Sequence, residues 1–277
     1  MKIAFSTLGC PEWTLEEIIE AAKRDRFDGI EFRGLLSEID LVNAPEFSPA
    51  RIAETRTRLE DAGVGVSCLS SSVVVVASTG TEVDRREAIA HAKRYIDLAK
   101  EVGARCVRLF GGNVPATLLP SEAYDRAAGS LRDIGDYAQE RGVIAAVETH
   151  DALIQSDRLM NLIRLADHPA VRVLWDIHHP YRIAGESIAY TVNQLGNHVA
   201  ATHLKDSVLS AEGEGYTYTL LGHGDVPLQA ALHALKEMGY DGYLTLEWEK
   251  RWIPALERPE IAFPQYARQV REWLADI

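Results

Sequence analysis

Glu148, Asp176, His203 and Glu247 stand 28, 27 and 44 residues apart, each near the end of a short apolar run. The runs are Ala146-Val147-Glu148-Thr149-His150, Leu174-Trp175-Asp176-Ile177-His178-His179-Pro180, Ala201-Thr202-His203-Leu204-Lys205 and Leu244-Thr245-Leu246-Glu247-Trp248. Three carboxylates and one imidazole suit an oxygen-preferring divalent cation, with Mn²⁺, Mg²⁺ or Co²⁺ favoured over Zn²⁺ and coordination positions left for substrate oxygens. Any one of these acids alone reads equally well as a solvated or salt-bridged strand end. Four in the same relation to their runs point to a shared pocket.

Such residues need strands that deliver them to one place. Apolar runs bounded by breakers predict strands at 2–7, 29–33, 64–69, 105–110, 143–148, 171–177, 199–204 and 243–248. Segments with helical spacing lie between them. Thr14-Leu15-Glu16-Glu17 is a capping-box pattern opening a helix to about residue 26, and Ser48-Pro49 reads as an N-cap with proline at the first helical position and Gly63 as the stop. Thr81 caps a helix ending at Gly103, Ser121 opens one stopped by Gly142, and further helices are expected at 156–166, 186–195, 226–238 and 260–273. Pro180 forbids sheet pairing beyond the sixth strand.

This alternation predicts one domain, residues 1–277, of the α/β class and folded as a closed (β/α)8 TIM barrel. No glycine-rich dinucleotide fingerprint follows the first strand, which sets aside an open doubly wound sheet. In a barrel the chemistry collects at the C-terminal ends of the strands, where all four residues lie. Alternation turns Thr245, Glu247 and Glu249 towards the axis, and Ile144, Ala146, Glu148 and His150 likewise on the fifth strand. The connection at 206–225, rich in glycine and tyrosine, is long enough to be functional.

Composition narrows the partners. With 47% hydrophobic and 25% charged residues the chain can bury a full core. Its net charge of −12, from 29 Lys and Arg against 41 Asp and Glu, would repel a polyanion, so no nucleic acid is expected. Cys10, Cys68 and Cys106 form no C-x-x-C pair and leave an odd thiol, which argues against a disulfide framework and for a reducing, cytoplasmic setting. No window approaches the roughly 18 apolar residues of a membrane span, and no signal-peptide core opens the chain. Neither export nor membrane insertion is expected.

Phe27-Asp28-Gly29-Ile30-Glu31, Val147-Glu148, Trp175-Asp176-Ile177-His178-His179, His203-Leu204-Lys205-Asp206, Leu221-Gly222-His223-Gly224-Asp225 and Leu246-Glu247 carry a family resemblance. Over essentially its whole length the chain resembles the sugar phosphate isomerase and epimerase family of xylose isomerase-like TIM barrels, which includes ketose 3-epimerase, hydroxypyruvate isomerase and inosose dehydratase. The resemblance implies that Glu148, Asp176, His203 and Glu247 hold one divalent cation and that His179, more than His178, contacts substrate. It implies proton abstraction beside a carbonyl, with the cation gripping two adjacent oxygens of the enediolate and Glu148 and Glu247 taking and returning the proton.

The implied activity is an isomerase or epimerase acting on a small sugar, sugar phosphate or cyclitol. Loss of a β-hydroxyl from the same enediolate would make it an inosose-type dehydratase. Ketose epimerases carry an arginine six residues beyond the metal-binding histidine; this chain has Leu209 there, and His203-Leu204-Lys205-Asp206 looks more like the dehydratase side. An apurinic-site endonuclease-like phosphodiesterase is less favoured, because those enzymes draw further histidines from early strands that hold none here. A non-catalytic sugar binder would not need both glutamates beside the cation. Homo-oligomers are common in the family.

Lys205, two residues beyond His203, should face the same pocket and steady an oxyanion or phosphate. His150 either lines the pocket or supports it from behind. Glu31 and Arg33 end the second strand, where they reach polar substrate groups or pair across the barrel mouth, and Arg108 faces one way or the other on the fourth. His223 and its glycines form part of a lid or a tight turn. Trp252 is expected to wall the pocket.

Overall fold

The computed structural model describes residues 1–210 and 215–277. In chain order its elements are β1 (Lys2–Ser6), α1 (Leu15–Arg24), β2 (Gly29–Phe32), α2 (Ile52–Asp61), β3 (Gly65–Val74), α3 (Glu82–Val102), β4 (Cys106–Phe110), α4 (Pro120–Arg141) and β5 (Ile144–Glu148). There follow α5 (Ser156–Ala166), β6 (Val171–Asp176), α6 (His178–Arg182), α7 (Ile188–Leu195), β7 (Val199–Leu204), β8 (Asp206–Leu209), β9 (Tyr216–Thr219), α8 (Leu228–Glu237), β10 (Tyr243–Leu246) and α9 (Pro259–Ala275). Parallel neighbours need a crossover, and the helices supply it. The strands close a circle in the order β1-β10-β7-β6-β5-β4-β3-β2, the (β/α)8 barrel expected.

The barrel interior explains where the charges go. Cys68, Cys106, Ala146, Leu174 and Ala201 pack against one another as a small core of their own. Two residues further along each strand the same face carries Ser70, Arg108, Glu148, Asp176 and His203, so period-two alternation lifts the polar layer directly above the apolar one. At the opposite end Tyr243 fills the axis: a Cβ on Gly29 or Gly65 would lie 2.5 Å from its ring or hydroxyl. The glycine of Phe27-Asp28-Gly29 is therefore required by close approach. Between strands and helices a continuous apolar layer, including Ile18, Phe5, Phe27, Leu131, Trp175 and Phe263, holds the outer ring in place.

The structure moves some expected boundaries. Thr14 and Thr81 cap α1 and α3 as expected. Ser48 instead turns its hydroxyl to the Pro45 carbonyl at 2.7 Å, ending a 3-10 turn at Pro45–Phe47, and α2 begins a turn later at Ile52. β3 runs on to Val74. Pro180 sits in the first turn of the short α6, where its missing N–H removes no intrahelical bond. The connection at 206–225 contains the antiparallel hairpin of β8 and β9, so the described residues hold ten strands where eight were expected. Its tip, 211–214, lies outside the described residues. No described helix is long and apolar enough to cross a membrane, and all three cysteines are buried and unbridged.

Candidate active site

The ends of β5, β6 and β7 and the residue after β10 converge on the barrel mouth. One ligand atom from each of Glu148, Asp176, His203 and Glu247 lies within 4.8 Å of the others, and all four side chains are buried. His203 decides what this cluster can hold. Its Nε2 lies 2.8 Å from Glu31 Oε2, so the ring proton donates to that carboxylate. Its Nδ1 then faces Glu148 Oε1 at 3.2 Å and Glu247 Oε1 at 3.3 Å.

A lone pair facing two carboxylate oxygens is repulsive unless a cation intervenes or Nδ1 takes a second proton. Burial disfavours the charged ring, but Glu247, Glu31 and Glu148 outweigh it and raise the His203 pKa well above its ordinary value. Asp176 adds Oδ2, which lies 2.8 Å from the Lys205 ammonium, while Oδ1 takes the backbone N–H of His178 at 2.8 Å and of His179 at 3.0 Å. The carboxylate is thus fixed against the start of α6 with one oxygen turned to the cluster. Three carboxylate oxygens and one imidazole nitrogen around a single point fit one divalent cation.

Two buried cations brace the glutamates. Arg108 Nη1 donates to Glu148 Oε2 at 2.6 Å, and its guanidinium stacks on Phe110 at 3.6 Å. Lys205 Nζ donates to Glu247 Oε2 and, at 2.9 Å, to Glu249 Oε1, and lies 2.8 Å from Asp176 Oδ2. Burial alone would raise both glutamates; Arg108 and His203 outweigh it at Glu148, and His203 and Lys205 at Glu247, so both carboxyls stay well below their usual range. Burial likewise opposes the Lys205 ammonium, but Asp176, Glu247 and Glu249 keep its pKa well above normal.

Outside this charged layer a cavity of about 600 Å³ is lined by residues that include His150, His179, Tyr216, Tyr218 and Glu249. The rings of His150 and His179 are 4.9 Å apart. Burial and Lys205 push His179 well below its ordinary pKa, so it is neutral. His178 turns Nε2 to Ser207 Oγ at 2.9 Å, and burial pushes its pKa down to about 3. Asp176, His178 and His179 make a second group of metal-ligand atoms, sharing Asp176 with the first.

A family model described as the xylose isomerase-like TIM barrel matches residues 19–277. The chain belongs to this family. It is similar to fructoselysine 3-epimerase of Shigella flexneri, 23% identical over 98% of this chain and 96% of that protein. It is also similar to inosose dehydratase of Clostridium perfringens, 26% identical over 57% of this chain and 56% of that one. Among solved structures, the IOLI protein with a bound zinc atom superposes with a TM-score of 0.77 at 18% identity, over 100% of this chain and 97% of that chain.

On this xylose isomerase-like barrel the remaining expected residues take definite places. Glu31, expected either to reach substrate or to pair across the barrel mouth, accepts a hydrogen bond from His203, and Arg108 is bonded to Glu148. His179, His150 and Glu249 border the cavity, as does Lys205's partner set through Glu249. Gly222 and Gly224 cradle a carboxylate: their N–H groups donate to Asp206 Oδ2 at 2.9 and 3.0 Å, and a Cβ on Gly224 would collide with it. The glycines around His223 therefore belong to a turn. Trp252 is 57% exposed, and its neighbour Ile253 lines the cavity in its stead. Leu209 closes β8 with its side chain exposed.

Glu249, Tyr216, Tyr218 and Ser207 carried no role in the sequence reading. Strand alternation turns Glu249 towards the axis, two residues beyond Glu247, without giving it a task. The tyrosines were detectable only as alternate positions of a strand that glycine-rich surroundings concealed.

Proposed function

We propose that the chain is a divalent-metal-dependent isomerase or epimerase of a small sugar, in which Glu148 and Glu247 remove and return a carbon-bound proton. One observation carries this reading: two buried glutamates flank His203 Nδ1 at 3.2 and 3.3 Å, and both are held ionised. An ionised carboxylate beside bound substrate is a general base. Glu148, Asp176, His203 and Glu247 would hold the cation, which when bound supplies Lewis-acid polarisation of a substrate carbonyl. Mn²⁺, Mg²⁺ and Co²⁺ suit this donor set, with Zn²⁺ as the alternative.

The chain's own residues set the geometry. Arg108 and Lys205 fix the two carboxylates, Glu31 fixes the His203 tautomer, and His179 and His150 face the space where substrate hydroxyls would lie.

A second reading rests on Lys205. Its ammonium donates to Glu247 Oε2 at the same mouth, where it would hydrogen-bond a departing β-hydroxyl while Glu247, having taken the carbon-bound proton, passes it to that oxygen so that water leaves, and the enzyme would then be a dehydratase. NMR in D₂O with Mn²⁺, following deuterium wash-in across ketoses, sugar phosphates and inososes, separates the two. A new stereoisomer or positional isomer marks the isomerase, and loss of water marks the dehydratase. Absence of wash-in on all three classes, with a cation bound, would overturn both.

A further inference from the structure

The cavity above the glutamates changes character from floor to rim. Of the residues lining it, His179 is buried and His150 and Glu249 half-buried, so its deep end is polar; Tyr216, Thr217 and Tyr218 come from β9, and Ile183 and Ile253 are exposed at its outer end. The two isoleucines keep 53% and 39% of their surface exposed. Single exposed apolar residues are ordinary. These two come from different connections, one after α6 and one after β10, and border the same space.

Size points the same way. A free hexose fills roughly 180 Å³, the bulk of about six waters at about 30 Å³ each. The cavity holds about 600 Å³, within the range of about 300–1,000 Å³ usual for small-molecule sites and roughly three times the bulk of one hexose. A sugar alone at the glutamates would leave water lying against Tyr216, Ile183 and Ile253.

The aromatic wall is also held in position. A lone two-stranded hairpin is marginal by itself, yet His178 packs edge-on to Tyr216 at 4.7 Å and against Tyr218 at 5.2 Å. Arg182 ties the hairpin down by donating from Nε to Ser207 Oγ at 2.9 Å and from Nη2 to Ser207 O at 2.8 Å. Tyr216 and Tyr218 thereby line the cavity from a braced element.

We infer that the substrate is a conjugate: a polyhydroxylated head that reaches the glutamates, and an apolar aryl or alkyl substituent lying between the two tyrosines and the Ile183 and Ile253 rim. The head group rests on the sugar-isomerase reading; the substituent rests on the cavity.

The test is equilibrium binding by calorimetry to the Mn²⁺-loaded protein. The probes are methyl and phenyl β-D-glucopyranoside and the matching galactopyranosides, which differ within each pair only in the aglycone. The phenyl member of at least one pair is expected to bind roughly tenfold tighter or more, as burial of an aryl group predicts. Ile183→Ser with Ile253→Ser is expected to narrow that gap to within about twofold. Thermal unfolding checks that the variant is folded, and Ile253→Ser alone replaces it if the pair is not.

Equal affinity within both pairs, no detectable binding of any probe, or an aryl advantage that survives the substitutions would overturn the inference. Binding needs no turnover, so the two readings fail separately. Wash-in without aryl preference leaves the isomerase and removes the conjugate, and aryl preference without wash-in does the reverse.

Discussion

Lys205 is a buried ammonium enclosed by Asp176, Glu247 and Glu249. Lys205→Met keeps the apolar stem but leaves three carboxylates without their shared cation. A loss of roughly 3–5 kcal/mol is expected in urea unfolding at pH 7, as for a broken buried ion pair. Unpartnered carboxyls titrate higher, so this deficit should shrink between pH 7 and 5; a loss below about 1 kcal/mol would mean the ammonium is poorly coupled to them. Glu247→Gln removes a base and keeps an oxygen ligand. Wash-in should fall by roughly 10²–10⁴-fold while Mn²⁺ still binds. Retained wash-in would put the proton transfer elsewhere. His178 gives a pH signature: burial holds its pKa to about 3, against an ordinary value of 6.5. The unfolded chain binds the proton first, so this contribution to stability is complete above about pH 6.5 and is lost as pH falls towards 3. Thermal unfolding of His178→Gln from pH 7 to 4 should show a shallower decline than wild type; parallel curves would show that the buried ring does not govern it.

Elements were legible in the sequence where one local rule acts alone. The Thr14 cap accepts the Glu17 N–H at 3.3 Å and the Glu17 carboxylate takes the Thr14 N–H at 2.7 Å, a reciprocal pair written in four consecutive residues. Barrel strands were legible from apolar runs for the same reason. The β8 and β9 hairpin was not, because its stability comes from Arg182, His178 and the Asp206 turn, contacts made by residues distant in sequence. Ser48 misled because a preceding 3-10 turn claims its hydroxyl. The hairpin's dependence on α6 is measurable. Arg182→Ala removes both bonds to Ser207 and the ion pair with Asp225. Hydrogen exchange of the β8 and β9 amides should accelerate by roughly tenfold or more, the effect of losing about 1.4 kcal/mol or more of local stability, while the amides of β5 and β6 stay protected. Uniform acceleration across the barrel would instead mark Arg182 as a global packing residue.

At the scale of the whole barrel, the four candidate metal-site residues were legible because consecutive strands end side by side: Asp176 pairs in register with His203, and His203 with Thr245, two residues before Glu247. Their partners were harder to see. Glu31 meets His203 across 172 residues, a contact that only closure of the barrel creates. Closure also concentrates charge. Glu31, Glu148, Asp176, Glu247 and Glu249 face Arg33, Arg108 and Lys205 around one mouth, a formal excess of two negative charges that one divalent cation balances with His203 neutral. Without the cation, a second proton on His203 is the nearest substitute. Loading the metal must then displace that proton, because Nδ1 ligates only through its lone pair. Calorimetric titration of chelator-treated protein with Mn²⁺ at pH 7, repeated in buffers of different ionisation enthalpy, should show release of about one proton, with affinity falling as pH drops. Removal of the metal should lower the unfolding temperature, and added Mn²⁺ should restore it with the logarithmic concentration dependence of native-state binding. Mn²⁺ binding without proton release would mean that His203 is already neutral in the metal-free protein, and that the carboxylates around it tolerate their own repulsion.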